Sequence, residues 1–411
     1  MKAIPNQARL ALILTLTPVA ILLAEVRYRV RPAWVPGPQE YGEGWPTDIS
    51  ATGQVVGDIY FYAAEEYAPF LTSEDGSEGA VLTDFTSYVY AYTSAINGDG
   101  HFLGDTTEAF VGSGAFLARP ETGVEFLDGL PPGGRFYEVN DLNDHDQVVG
   151  SYVIGGGVRA FVRDASGQVT NLGDLPGGAE YAAAYAIDND GNIVGVSGSA
   201  EVPNGEAFLW TPSGGMVRLG DIPGGGIADN AHSIGGNFVI TGTANMPGQF
   251  RQPYVWSRDA GFRLMGYIPS TNGPAFPYAG NARGQTVGWA RSVTSVQTAF
   301  VGDADHGVRD LNGLLDPCTS GVDLWFASAI NDNGWIGAAH RSGGSAVTLI
   351  PYLPGDLNED SLVGLDDLAT QLAHFGADGG VTFADGDCDC DADVDLQDLA
   401  VLLGNFDAQL P

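Results

Sequence analysis

Lysine is all but missing from this 411-residue chain: Lys2 is the only one, and lysine and arginine together number 17 against 51 acids, a net charge of −34. Binding to phosphate needs clustered Lys and Arg, so nucleic acid and anionic membrane surfaces are excluded, and cations are the small partners such a surface attracts. Cysteine is equally scarce. Cys318, Cys388 and Cys390 are an odd and small set that excludes a disulfide framework, and Cys388 and Cys390 are too close in sequence for an unstrained mutual bridge. Stability must come from core packing and metal binding. Long apolar runs are absent beyond Leu10–Ala24, which follows Lys2 and Arg9. That segment reads as a signal peptide over residues 1–24, cleaved near Ala24, which predicts a secreted, extracellular protein, free or cell-surface associated, with no membrane insertion after cleavage. A retained anchor is the competing reading, but the run is interrupted by Pro18 and falls short of the roughly 20 residues a spanning helix needs.

Glycine, by contrast, is abundant at 59 residues and follows no triplet period, which points to many tight turns between short strands. One phrase recurs: DISATGQVVG ending at Gly57, AINGDGHFLG at Gly104, DLNDHDQVVG at Gly150, AIDNDGNIVG at Gly195, SIGGNFVITG at Gly242, GNARGQTVG at Gly288 and AINDNGWIG at Gly337. Those glycines lie 47, 46, 45, 47, 46 and 49 residues apart, the signature of an internal repeat. Within each phrase an Asn, Asp or Ser oxygen can hold an Asx-type turn while a glycine three residues on takes positive φ, so the phrase predicts a hairpin.

A third strand follows in AFLAR, AFVRD, AFLWT, PYVWS and AFVGD, and a fourth in VEFLDGLPPGG, VTNLGDLPGG and VRLGDIPGG. Four short strands per unit of about 46 residues make one propeller blade. The last unit lacks a clear fourth strand, and YRVRPAWVPG from Tyr28 has the shape of MVRLGDIPGG from Met216, with Val35-Pro36-Gly37 matching Ile222-Pro223-Gly224. An N-terminal strand would complete the seventh unit and remove an open edge. The expected fold is all-β, a seven-bladed β-propeller over residues 25–352. A β-solenoid is the alternative, and it needs no such end-to-end complement.

The phrases AIN-x-x-G-x-IVG, AFLW and V-x-LG-x-LPGG resemble the extracellular HAF repeats of exported bacterial proteins. The histidine naming that repeat is replaced by Gly114, Arg159, Glu206, Gln252 and Thr298, so any function of a histidine ring is absent. The resemblance implies export and the repeat, with no activity attached.

From residue 355 to 411 there are 14 acids and no Lys or Arg. Calcium loops take oxygen ligands at positions 1, 3 and 5, a carbonyl at 7, often a water-linked group at 9 and a carboxylate at 12. GDLNEDSLVGLDDLATQLAHFG supplies Asp356, Asn358, Asp360, the Leu362 carbonyl, Gly364 and Asp367; GDCDCDADVDLQDLAVLLGNFD supplies Asp387, Asp389, Asp391, the Asp393 carbonyl, Asp395 and Asp398. Two Ca2+ ions are therefore expected. Val363 and Val394 fall at position 8, where paired loops pack on each other, and an amphipathic helix should follow each loop, with Leu368, Leu372 and Phe375, then Leu399, Leu402, Leu403 and Phe406, on its apolar face. The duplicated loop and helix, with Asp at position 12 and no helix before the loop, resemble a type I dockerin, a paired EF-hand-type module. The resemblance implies docking to a cohesin-type partner, commonly in assemblies that degrade polysaccharide. Ser361 and Ala392 depart from it at position 6, where Gly takes a sharp turn, and Leu365-Asp366 and Leu396-Gln397 stand at the recognition positions 10 and 11. The module can also be read as a calcium-stabilised terminus without a cohesin partner.

No catalytic phrase is found. His101, His145, His232, His306, His340 and His374 are scattered, with no HExxH, GxSxG or sialidase-type box. The chain is accordingly expected not to be an enzyme, with a carbohydrate-active or carbohydrate-binding propeller as the alternative. Trp45, Trp289, Trp325 and Trp335 are the candidate sugar-contacting rings, each also suited to filling a blade core.

Overall fold

The computed structural model describes residues 26–32, 44–61, 66–82, 90–108, 112–178, 180–203, 205–269, 273–291, 296–341 and 346–410. The proposed signal peptide and the Val35-Pro36-Gly37 turn lie outside them. The chain forms two compact units, Tyr28–Pro351 and a second that contains Tyr352 to the C-terminus.

The first unit is built from mostly antiparallel sheets that follow the repeats. The expected closing strand is present: Arg27–Pro32 lies at the edge of the sheet formed by Ala346–Tyr352, Ile336–His340 and Leu324–Ile330, so the start of the array completes its end. Four further sheets follow single repeats. The first two repeats share an eight-stranded sheet because Glu66–Thr72 and Tyr90–Ile96 meet in a parallel bridge at Tyr67 and Tyr90.

The first strands of the repeats are Gly44–Ile49, Tyr90–Ile96, Arg135–Leu142, Ala182–Ile187, Gly226–Gly235, Ala275–Gly280 and Leu324–Ile330. They lie against one another in cyclic order, the last against the first. Each carries a register shift near its middle, as between Pro46 and Asp48 or Thr93 and Ala95, which adds the bend and twist that a curved inner strand requires.

The recurring residues explain this arrangement. Phe70, Phe116, Phe161, Phe208, Tyr254 and Phe300, one from each of six third strands, are fully buried between sheets. In the first six repeats the glycine ending the phrase lets a ring lie flat on the hairpin: a Cβ on Gly104 would stand 1.9 Å from the Tyr92 carbonyl oxygen and 2.8 Å from the Phe116 ring. In the turn, Asn97 Oδ1 accepts from the amides of Asp99 (3.1 Å) and His101 (2.9 Å), and Gly100 takes φ 79°. Asn143, Asp188, Asn281 and Asn331 repeat this Asx turn. The fifth phrase departs from it. Gly235 stands where the side-chain oxygen should be, and a short 3-10 turn at Gly236–Phe238 with Asn237 and Phe238 at positive φ replaces the Asx turn. The fourth strand of the fourth repeat is also shorter than MVRLGDIPGG implied, because Gly215–Arg218 ends it and Asp221–Ile222 pairs with the next repeat.

In the second unit, α1 (Leu365–His374) and α2 (Leu396–Gly404) follow the two acidic loops. Leu353, Leu357, Val363, Cys388 and Leu402 form its buried centre, with Leu368, Phe383 and Phe406 packed against them. Val363 and Val394 are both fully buried, but the loops do not bond to each other at position 8. Val363 exchanges main-chain bonds with Asp407 and Ala408, behind α2, and Val394 with Gly376 and Ala377, behind α1. Each loop is thus tied to the segment that follows the other loop's helix.

Candidate metal centre

The acidic loops share one scheme of bonds at positions 1 and 12, differing at the position-1 Oδ1, which accepts from Asp360 in the first loop and from Cys390 in the second. In the first, Asp367 Oδ1 accepts from the amides of Leu357 (2.8 Å) and Asn358 (3.2 Å) and its Oδ2 from Gly364 (2.7 Å). In the second, Asp398 Oδ1 accepts from Cys388 (2.7 Å) and Asp389 (3.2 Å) and its Oδ2 from Asp395 (2.8 Å). The position-1 carboxylates match as well, since Asp356 Oδ2 accepts from Ser361 and Asp387 Oδ2 from Ala392. Backbone amides fix the orientation of these carboxylates.

Asp356, Asp367, Asp387 and Asp398 are all buried, a costly place for carboxylates that no cation balances. Burial, with Asp367 and Asp360 close by, pushes the Asp356 carboxyl up; burial with Asp398 and Asp391 does the same to Asp389, and burial with Asp391 and Asp395 to Asp393. Carboxylate oxygens of Asp387, Asp389 and Asp398 lie within 4.8 Å of one another, as do those of Asp391, Asp393 and Asp398. Asp389 Oδ1 and Asp393 Oδ1 are buried atoms without a hydrogen-bond partner. An all-oxygen donor set of this kind fits a hard divalent cation. In the first loop Asn358 replaces one carboxylate, and its Nδ2 reaches Asp360 Oδ2 at 3.0 Å. Asp395, at position 9, is engaged in capping α2 through the Gln397 amide, and Gly364 offers no side chain there. Leu362 and Asp393, at position 7, stand in β-bridges with Gln409 and Asp378.

Ser361 and Ala392 both have φ 72°, and Glu359 and Cys390 also take positive φ at 58° and 69°. Both residues thus hold the left-handed backbone that glycine adopts most readily, in spite of the strain it costs a residue with a side chain.

The helices bury only part of the face expected: Leu368, Leu402 and Phe406 pack inward, as the periodicity implied, but other members of that face do not. Gln371 is fully buried, with Nε2 donating to the Gly386 carbonyl at 3.1 Å, while Leu372 and Phe375 are exposed. On α2, Leu402 is buried and Leu403 exposed.

Of the candidate tryptophans, none is buried and none fully exposed. Trp45 and Trp325 lie on first strands and Trp289 on a second strand beside Phe276. Trp335 is at the other end of its hairpin, with the Arg31 guanidinium 5.2 Å from its ring.

Neither a family model nor a curated protein matches the sequence. Solved structures match in fold. The β-propeller domain of the trilobed protease from Pyrococcus furiosus, described as having an open velcro topology, is 10% identical with a TM-score of 0.51 over 75% of this chain and 95% of that one. An oligogalacturonate lyase from Vibrio parahaemolyticus is also 10% identical, with a TM-score of 0.51 over 80% of this chain and 97% of that one. The mostly β unit thus has a β-propeller fold. The expectation that the chain is not an enzyme does not stand, because the same architecture, over nearly the whole length of that lyase, is found in an enzyme. Missing sequence phrases were no ground for excluding catalysis on a fold whose active groups come from separate strands and loops.

Proposed function

We propose that this is an exported calcium-binding interaction protein: a seven-bladed β-propeller carrying a dockerin-like module that holds two Ca2+ and docks onto a cohesin-type partner in an extracellular polysaccharide-degrading assembly. The observation that carries the proposal is the duplicated carboxylate cradle, Asp356 and Asp367 in one loop and Asp387 and Asp398 in the other, buried and held by matching amides. Seven blades are favoured by the seven first strands in cyclic contact and by the N-terminal strand in the last sheet.

Asp356, Asn358 and Asp360, with the Leu362 carbonyl and Asp367, would hold one ion. Asp387, Asp389, Asp391 and Asp398, with the Asp393 carbonyl and Asp395 through water, would hold the other. The ions would offset mutual repulsion among the carboxylates and fix the start of each helix. Docking is supported by leucines that the module leaves in solvent: Leu365 and Leu396, 73% and 71% exposed, at position 10 of each loop, and Leu372 and Leu403 seven residues on. Paired exposed apolar side chains of this size mark an interaction surface.

The test is binding of the immobilised full-length protein to a panel of cohesin domains in calcium and in EGTA. Capture that needs calcium and is lost in an Asp367→Asn/Asp398→Asn double variant is expected; capture by no cohesin, or capture indifferent to EGTA, would sink the docking assignment.

A further inference from the structure

The first strands all begin at the end of the ring opposite the Asx turns, and aromatic rings gather at that end. In the first two repeats Tyr67 is the centre of a cluster: its ring centroid lies 5.9 Å from Trp45, 4.8 Å from Tyr60, 5.8 Å from Tyr90 and 5.1 Å from Tyr92. In the sixth and seventh repeats Phe276 stacks on Trp289 at 4.5 Å and 25°, and Phe326 meets Tyr278 at 6.3 Å. The first strands of the seventh and first repeats are in contact, so the two clusters flank one arc of the ring.

These rings do not serve as blade filling. That role belongs to the fully buried third-strand rings typified by Phe116 and Phe300, whereas every ring of the two clusters retains solvent exposure, Tyr278 at 50%. A broad aromatic surface left partly wet is a feature of binding faces. Phenol and indole groups present flat apolar faces with polar tips, which suits a ligand with C–H faces and many hydroxyls. A carboxylate stands beside the first cluster: Asp58 is opposite Trp45 in the sheet register, its Oδ1 accepting from the Thr93 amide at 2.7 Å. Of five arginines near these strand ends, Arg159 is neutralised by Glu180, Arg251 by Asp229 and Arg341 by Asp323, while Arg135 and Arg291 are exposed and make no ion pair among the described residues. With a net charge of −34 on the whole chain, an anionic polymer meets repulsion here.

We propose that this end of the propeller is a binding face for an uncharged oligosaccharide, with Trp45, Tyr67 and Tyr278 as stacking platforms and Asp58 as a hydroxyl acceptor. Polyuronates are disfavoured ligands despite the fold shared with a lyase acting on oligogalacturonate. The face belongs to the propeller and is independent of the calcium loops.

The experiment is calorimetric titration of the full-length protein with cello-, xylo- and manno-hexaose and with a galacturonate hexamer, in calcium and in EGTA. Binding of at least one neutral hexaose, stronger than any binding of the galacturonate hexamer and present in both media, is expected. Tyr278→Ala, at an exposed ring, should weaken it about tenfold while leaving the thermal transition unchanged; Trp45→Ala should abolish it, with circular dichroism confirming that the sheet is retained. Absence of binding to all neutral hexaoses, preference for the galacturonate, or a concentration-dependent dimer that Tyr278→Ala disrupts would each overturn the proposal, the last by assigning the face to a second copy of the chain.

Discussion

The side-chain amide of Asn331 donates to the carbonyl oxygen of Ser50 at 2.9 Å, joining residues 281 positions apart in the chain. Asn97 reaches Asn143, Asn143 reaches Asp188 and Asn281 reaches Asn331 in the same way. One residue type does two jobs: its oxygen shapes the turn of its own repeat and its nitrogen bonds the next. The bond from Asn331 extends the series from the last repeat to the first.

Asn331→Asp keeps the oxygen and removes the donor, so the buried Ser50 carbonyl keeps its bond from the Gly53 amide and loses the one from the last repeat, while a carboxylate is placed in its stead. Loss of about 1–3 kcal/mol is expected, seen as an earlier denaturant midpoint. Asn333→Ala, which removes the more exposed bond to the Ala51 carbonyl, should cost less than about 1 kcal/mol. Equal losses would remove the special standing of Asn331.

The phrase-ending glycines should not be equivalent. Gly104→Ala puts a methyl 1.9 Å from the Tyr92 oxygen, whereas at Gly337 the nearest atom, Pro46 Cβ, is 3.3 Å away, because Gly337 lies one position earlier in its hairpin and Ala338 takes the register position that Gly104 holds. About 3 kcal/mol or more of destabilisation is expected for the first and under about 1 kcal/mol for the second. Chemical denaturation of both variants measures the difference.

Ser361→Gly and Ala392→Gly relieve a left-handed backbone that costs on the order of 1 kcal/mol at each site. In saturating calcium each should raise the midpoint of the C-terminal unit's unfolding, and the pair should add, the sites lying in separate loops. Unchanged or lowered midpoints would mean that the φ of 72° carries no cost.

Four acids beside the inner strands govern the response to pH. Burial, opposed by the amides they accept from, holds Asp48 at about 6, Asp58 and Asp105 at about 7 and Asp141, with Asp48 repelling it, at about 8. Unfolded aspartate titrates near about 3.9, so the folded pKa values are raised. Their contribution is fully present below about pH 4 and is lost as pH climbs through 6 to 8. Thermal melts in saturating calcium should show the propeller transition falling between pH 5.5 and 8.5, and Asp58→Asn should flatten that dependence. A transition that rises over this range would contradict the assignment.

The periodic features were legible because each lies within a short stretch of chain: the Asx turn, the glycine after the second strand, the spacing of calcium ligands. The closing strand was legible too, since Tyr28–Pro32 copies a pattern found elsewhere in the array. What escaped involves partners a repeat or more away. The Asn97 nitrogen finds its acceptor 46 residues on, and nothing local distinguishes that role from the turn itself. The crossed pairing of Val363 and Val394 depends on how two helices pack. On α1, Leu372 and Phe375 look like core by periodicity, yet Gln371 takes the inside position because the Gly386 carbonyl offers it a partner. Position along the blade, rather than residue type, separates Trp45 and Trp289 from filling rings, and only a folded ring displays it.

Calorimetric titration of the EGTA-treated full-length protein with calcium tests the central claim most directly. Two ions per chain, falling to one in Asp367→Asn or in Asp398→Asn and to none in the double variant, is the predicted result. No heat of binding at millimolar calcium, or stoichiometry unaffected by these substitutions, would contradict it.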